Sequence, residues 1–447
     1  MSTTPQARRI IRTYMTVTAL FNAALALIWG VNTLFLIGAG LDIFRVMLVN
    51  AAFSFGQFVF EIPTGVIADT IGRRASLRLC LVTVLVATLA YLGIAWAHLG
   101  FWWFVAVSVL LGLGFTFYTG AVDAWLVDEL RHAGHTDALD PVFARSQAVF
   151  GVAMLVGTIG GGFLGQLHLY VPYAVRAVLI VPALVLAWTA MPENGFTPRT
   201  LRVREVPGEM KRVFVLGVKF GLGHRIVRPL MLYSLVGATF EMFGFYSWQR
   251  YFLDLLHRDL VWVTGVIAAL VALAGIAGNL LLKPLTKLIR RRTSMLAVSV
   301  ALQGVAIILC GRLGSFYPVV GLYLVWALAA GLAGPVKQGL LNAHIPSEQR
   351  ATILSLDALF ADLGSGVGQS GFGYLARVRT IADSWVAAGA TLFLRLPLLL
   401  LARRCTIEND LFDPSVPREP ATAPDPRCPG TSKPRLAGEP AAPGTSD

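Results

Sequence analysis

Charge is what this chain has least of. Of its 447 residues only 14% are Asp, Glu, Lys or Arg, whereas soluble domains carry roughly 25%. With 56% hydrophobic residues and a mean hydropathy of +0.67, the composition excludes an ordinary soluble globular protein and points to many membrane spans. Cysteine is also scarce. Cys80, Cys310, Cys405 and Cys428 have no metal-ligand spacing and imply no disulfide framework. No HExxH, GxSxG or Cys/His constellation occurs, and no Walker-type loop, so hydrolytic, metal-centred and ATP-driven chemistry are all unsupported and the chain is not expected to be an enzyme. The net charge of +12 is scattered in short clusters between apolar runs, which argues against nucleic acid and for topology signals.

What is abundant is length of apolar sequence. Runs able to cross ~30 Å of hydrocarbon predict twelve spans, at residues 13–37, 43–68, 75–97, 101–127, 144–168, 169–191, 229–255, 260–283, 293–311, 316–343, 350–376 and 382–402. The first is too long for a signal-peptide core and lacks a small-residue cleavage site. Basic residues fall in alternate loops, among them "GRRASLR", "KPLTKLIRRR" and Arg403–Arg404, so both termini are expected on the cytoplasmic side of a bacterial cell membrane. Residues 1–12 then form a cytoplasmic N-terminus, 13–191 one six-helix half, 192–228 a basic Pro-containing central loop and 229–402 the second half. The Pro-, Ala- and Gly-rich residues 403–447 read as a disordered cytoplasmic tail.

The two halves resemble each other. "ADTIGRRASL" (Ala68 to Leu77) aligns with "TKLIRRRTSM" (Thr286 to Met295), placing Asp69 over Lys287, 218 positions on. "GAVDAWLVDEL" from Gly120 aligns with "GLLNAHIPSEQ" from Gly339 at an offset of 219. Two matches at almost one offset indicate duplication, and paired six-helix halves with a site between them are a transporter architecture.

Several polar residues fall inside the spans, where each ionisable one costs about 2.5–3.5 kcal/mol on insertion scales. Asn50, Ser54, Gln57 and Glu61 recur at steps of four, three and four, one polar stripe that should face a cavity or the seam between the halves. Glu241 lies near mid-membrane with Phe245 and Trp248 on its face, an arrangement suited to a cationic amphiphile or to bonding with a neighbouring helix. Asp362 is equally deep, with Gln369 on its face, and either it or Glu241 could carry a coupling proton. Lys337 could instead neutralise Asp357 or Asp362 in a structural pair. Asn22 and Trp29 form a smaller candidate face.

"GVIADTIGRR" resembles the loop signature of the major facilitator superfamily: Gly65, Asp69, Gly72, Arg73 and Arg74 fit it, with Thr70 where a basic residue is usual. The resemblance implies an all-α membrane protein with the major facilitator fold and twelve transmembrane helices in two pseudo-symmetric halves. It implies a monomeric secondary transporter in the bilayer, with a small-molecule substrate, protons as partners and no cofactor, closest in kind to bacterial efflux members. A nutrient importer of the same fold is the alternative, and a receptor or intramembrane enzyme a remoter one. It also assigns Asp69 and Arg73 to a latch, with Asp123 or Asp128 as the acid that Arg73 meets, and Gly65 and Gly72 to close backbone approach. Two departures stand out. "GLGFTFYTG" has Thr116 and no basic residue where drug/proton antiporters often carry an Arg, and "GTIGGGFLG" has Thr158 after Gly157 where they carry Pro.

Overall fold

The structure is a computed structural model and describes residues 4–118, 121–135, 138–196, 208, 223–345, 350–405 and 410–412. These form fifteen helices: α1 Pro5–Ala26, α2 Asn32–Gly38, α3 Ile43–Ile71, α4 Arg73–Trp96, α5 Phe101–Thr116, α6 Ala121–His132, α7 Asp140–Leu167, α8 Val171–Thr189, α9 Val227–Leu256, α10 Val261–Leu288, α11 Arg292–Arg312, α12 Phe316–Asn342, α13 Arg350–Val378, α14 Ile381–Leu392 and α15 Arg395–Cys405. Three pairs are single traverses with a break, α1 with α2, α5 with α6, and α14 with α15, so the expected twelve traverses are present in two sets of six. Pro397 accounts for the last break, because its ring clashes with the carbonyl four residues earlier. The first span starts at Pro5 rather than residue 13, since Thr4 caps it by accepting the N–H of Ala7 and Pro5 suits the first turn. Its arginines ride on the helix with their charged ends free to reach water.

Among the described residues nine helical segments are long and apolar enough to cross a membrane. The traverses that fall short are α1–α2, interrupted after Ala26, and α9 and α13, which carry Glu241, Asp357 and Asp362. Asp357 is buried in the protein, and Glu241 and Asp362 line a cavity between the halves, so none of the three relies on lipid for its surroundings.

Small residues set the helix spacing, as packing in lipid requires. A Cβ added at Gly157 would lie 2.7 Å from the Ala23 carbonyl, and one at Gly56 2.6 Å from the Val109 carbonyl, so the first and fifth spans, and the second and fourth, meet backbone to backbone. Gly368 abuts the Thr239 carbonyl and Gly278 the Leu328 carbonyl, giving the same two pairings, seventh with eleventh and eighth with tenth, in the second half.

Among the described residues the apolar contact between the halves is concentrated on one face. α7 meets α10 at Gly162 and Gly265, and α3 meets α13 where Gly373 faces Met47. On the face away from the chain ends, the Thr33 N–H donates to Gln249 Oε1 (2.9 Å), the Thr33 hydroxyl to the Tyr246 carbonyl (2.5 Å), and Gln249 Nε2 to the Trp29 carbonyl (2.7 Å). One apolar cluster there draws on both halves, with Phe35 and Tyr173 beside Phe252 and Trp385. On the face carrying the basic loops each half keeps its own cluster, around Trp125 in one and Met295 in the other. Among the described residues the halves are sealed together on one face and parted on the other. Gln249, fully buried, bridges the seal, and each such bond contributes about 1 kcal/mol while leaving a buried group unmatched when lost. Gln249→Leu is therefore expected to speed labelling of a cysteine introduced at Leu34 by a membrane-impermeant thiol reagent several-fold relative to the same cysteine alone.

Candidate functional site

The loop motif folds as one charged knot. α3 stops at Ile71 because Gly72 takes φ +121°, a conformation that side chains rarely adopt, and α4 starts at Arg73. Arg73 Nε lies 2.9 Å from Asp128 Oδ2 at the end of α6, and its Nη2 lies 3.5 Å from Asp69, one turn back. Of the two acids the resemblance offered, Asp128 is thus the partner. Asp123 instead accepts the Tyr14 hydroxyl (2.7 Å), which in turn receives Ser146 (3.0 Å), tying three spans together. Gly65 faces open space, so no close backbone approach requires a glycine there in this conformation, contrary to expectation. A Cβ at Gly72 would collide with the Glu193 carboxylate. Gly72→Ala combines that clash with a strained backbone of about 1–3 kcal/mol; the expected result is a thermal midpoint several degrees lower in detergent, with membrane insertion retained.

Glu193 was not foreseen, because residues 192–228 read as a linker. Its Oε1 accepts the Arg74 N–H (2.8 Å) and its Oε2 lies 3.6 Å from the Arg74 guanidinium. The Trp125 indole donates to the Pro192 carbonyl (2.7 Å) and the Gly195 N–H to Glu129 (2.8 Å), so the start of that segment belongs to the first half. The second half repeats the device: Asp410 accepts the N–H and the hydroxyl of Thr293, each at 2.7 Å. Arg74 and Thr293 stand 219 positions apart, so an acid following the last span of each half caps the first turn of its third span, where a carboxylate is favoured. Residues 403–405 extend α15 and 410–412 fold back onto the start of α11, which corrects the reading of everything from 403 as disordered.

Between the halves lies a cavity of 450 Å³, in the range of small-molecule sites. Asn50, Ser54 and Gln57 of α3 and Trp29 line it from the first half; Glu241 and Phe245 of α9 and Asp362 and Ser365 of α13 line it from the second. Trp29 and Phe245 meet edge to face, ring centres 5.6 Å apart, across the seam. Asn50 Oδ1 accepts from Asn32 Nδ2 (3.0 Å), and Asn32 Oδ1 accepts the Tyr173 hydroxyl (2.7 Å). Glu61 is exposed one turn towards the parted face, near enough to Asp362 for the two charges to interact.

Besides Glu61, five predicted site residues do not line this cavity. Trp248 keeps the angular position of Glu241 but lies two turns deeper, in the sealing cluster against Phe252 and Tyr323. Asn22 is buried and donates to the Thr18 carbonyl (2.8 Å). Gln369, fully buried, donates to Ser365 (3.1 Å) a turn past the cavity. Asp357 is buried and ion-paired to Lys337 while accepting the Ser234 hydroxyl (2.6 Å), the structural arrangement. Lys337 also lines a neighbouring 190 Å³ cavity that Glu241 and Arg395 share. Two buried arginines were missed altogether. Arg176 of α8 lines the main cavity; Arg395 donates to Gln303 (3.1 Å) and lies 3.7 Å over the Tyr233 ring. They stand 219 positions apart, so the repeat offset was the signal that could have found them together.

Comparison with known proteins places this geometry. Residues 13–369 match the model of the family described as Major Facilitator Superfamily. An uncharacterized MFS-type transporter of Bacillus subtilis (strain 168), YxaM, is 19% identical over 86% of this chain and 92% of its own length. The class C tetracycline resistance protein of Escherichia coli is 27% identical over 71% of this chain and 76% of its own. The crystal structure of the nucleoside transporter NupG superposes with a TM-score of 0.70 at 9% identity, covering 89% of this chain and 99% of that one, which speaks to the fold.

Proposed function

The chain belongs to the Major Facilitator Superfamily, and we propose that this secondary transporter exports small amphiphilic organic compounds from the cytoplasm in exchange for protons. The observation that carries the proposal is the central cavity, which has a polar stripe on one half and two acids, Glu241 and Asp362, on the other, and which, among the described residues, is sealed on one face and not the other. Basic loops favour the cytoplasm, so the parted face is read as cytoplasmic, both termini lie inside and the conformer is inward-facing. Alternating access then requires the seal around Thr33 and Gln249 to break while the basic face closes.

Glu241 meets the cavity beside Phe245, and an acid with an aromatic face suits a positively charged, partly apolar solute. Glu61 and Asp362 sit on spans that face each other across the seam, so their repulsion depends on how far the halves are parted. A proton taken up by either relieves it, and that couples protonation to closure. Outward movement also accords with the two relatives named as tetracycline resistance proteins, of Escherichia coli and Salmonella ordonez.

The test is transport in proteoliposomes under an imposed pH gradient, with ethidium and D-xylose as the two solutes. Ethidium movement that collapses the gradient is the expected result. Xylose uptake with no dye movement would overturn it in favour of a nutrient importer.

A further inference from the structure

Three cations border the two cavities, and two of them are already engaged. Lys337 is paired with Asp357, and Arg395, although its Nε has no hydrogen-bond partner, donates from Nη1 to Gln303 and lies over the Tyr233 ring. Arg176 differs. It is 1% exposed and lines the main cavity, yet Nε and Nη2 have no hydrogen-bond partner, and no ion pair reaches it among the described residues. A guanidinium does not give up its proton, and burying one without an anion is strongly unfavourable.

The internal repeat shows how the vacancy arises. Arg176 and Arg395 are equivalent at the offset of 219, and α8 packs on α4 as α15 packs on α11. The residue equivalent to Gln303 is Val84, so the second half supplies an amide to its arginine and the first supplies a methyl-bearing side chain. The arginine has been kept while its internal acceptor is missing.

We propose that Arg176 is the docking point for an anionic group of the substrate, with Glu241 on the facing wall taking its cationic end. The transported class is then amphiphilic zwitterions, whose apolar middle would lie along Trp29 and Phe245. This rests on the transport reading above and narrows its substrate. It also reconciles Glu241 and an unpaired base in one cavity: a ligand bearing both charges satisfies each, and with Asp362 holding the coupled proton no net charge is left in a region of low dielectric.

The test uses full-length protein in lipid nanodiscs and in proteoliposomes. Benzoate at millimolar concentration probes the anion site alone: it is expected to raise the thermal midpoint of the wild type by a few degrees and to leave Arg176→Gln and Val84→Gln unmoved. Val84→Gln, which copies the amide of the other half, should itself raise the midpoint of the ligand-free protein, so the result does not depend on the arginine variant folding. The dye pair rhodamine B and rhodamine B ethyl ester, differing by one carboxylate, probes the substrate. Wild type should prefer the acid about tenfold, as a charge-assisted hydrogen bond requires, and Val84→Gln should erase the preference. No benzoate shift in wild type, or a shift and a dye preference that persist in both variants, overturns the proposal. A benzoate shift lost in both variants without movement of either dye keeps the anion site and overturns the export reading instead.

Discussion

Asp362→Asn is expected to lower pH-driven accumulation at least about tenfold while leaving exchange of substrate across the membrane within about threefold of wild type. Asp362 lines the cavity from α13, opposite the stripe on α3 that ends at Glu61, and these two spans form one of the two seams between the halves. In the present conformer the basic face is parted, and the two carboxylates interact across that gap. Bringing the halves together there confines two like charges to a smaller and drier space, which disfavours closure unless a proton is bound. Asparagine keeps the shape and removes the need for that proton, so the halves can rock with or without the gradient. Exchange needs only rocking; accumulation needs rocking to be conditional. Glu241→Gln should behave differently, raising KM for a cationic dye and sparing the response to pH. Proteoliposomes loaded with dye and buffered at two pH differences distinguish these outcomes, and unchanged accumulation by Asp362→Asn would rule out Asp362 as the coupling acid.

The stripe on α3 was legible in the sequence because a helix turns a fixed angle per residue, so steps of four, three and four can only be one face. The same geometry misplaced Trp248. Periodicity gives the direction a side chain points and says nothing of depth, and two turns beyond Glu241 the cavity gives way to the seal. The ion-pair partner of Arg73 could not be chosen from sequence either: Asp123 and Asp128 are five positions apart on one helix, and the structure gives Asp123 to Tyr14 on a different span and Asp128 to Arg73. The count of twelve traverses followed from bilayer thickness, whereas the break after Ala26 has no proline or turn signal in the sequence to announce it. Glu193 and Asp410 were hidden by their setting, since both lie in polar stretches whose composition suggests no structure, and each is ordered by one helix end that needs an acceptor. Arg176 and Arg395 were hidden in the opposite way, as single charges in long apolar runs. Duplication links both missed pairs, though not equally: the repeat found in two loops, carried along the chain, sets Arg176 on Arg395 at 219 positions, whereas Glu193 and Asp410 stand 217 apart, two positions out of register.

Gly265→Val should all but stop transport while leaving the protein folded, because the substitution acts on one conformer and not on the other. A Cβ at Gly265 would lie 2.6 Å from the Thr158 carbonyl, and one at Gly162, directly opposite, 2.7 Å from the Gly265 Cα. Both obstacles are backbone, so neither can swing aside. Overpacking of this kind destabilises by about 1–3 kcal/mol, and here it falls only on the arrangement in which α7 and α10 touch. When the sealed face parts, the helices separate at that level and valine has room. The substitution therefore weights the equilibrium towards the conformer open on the opposite face, by about five- to 150-fold for that range of energy. A transporter confined to one side of its cycle binds but does not turn over. Spin labels at Trp102 and Tyr317, both exposed near the sealed face, should report a longer separation in the variant, and uptake should fall in parallel. Gly151→Ala is the matched control, since a Cβ there meets nothing within 4 Å, and it should transport as wild type does. If Gly265→Val moves substrate at the wild-type rate with the label distance unchanged, the contact between α7 and α10 is not the pivot on which the halves seal.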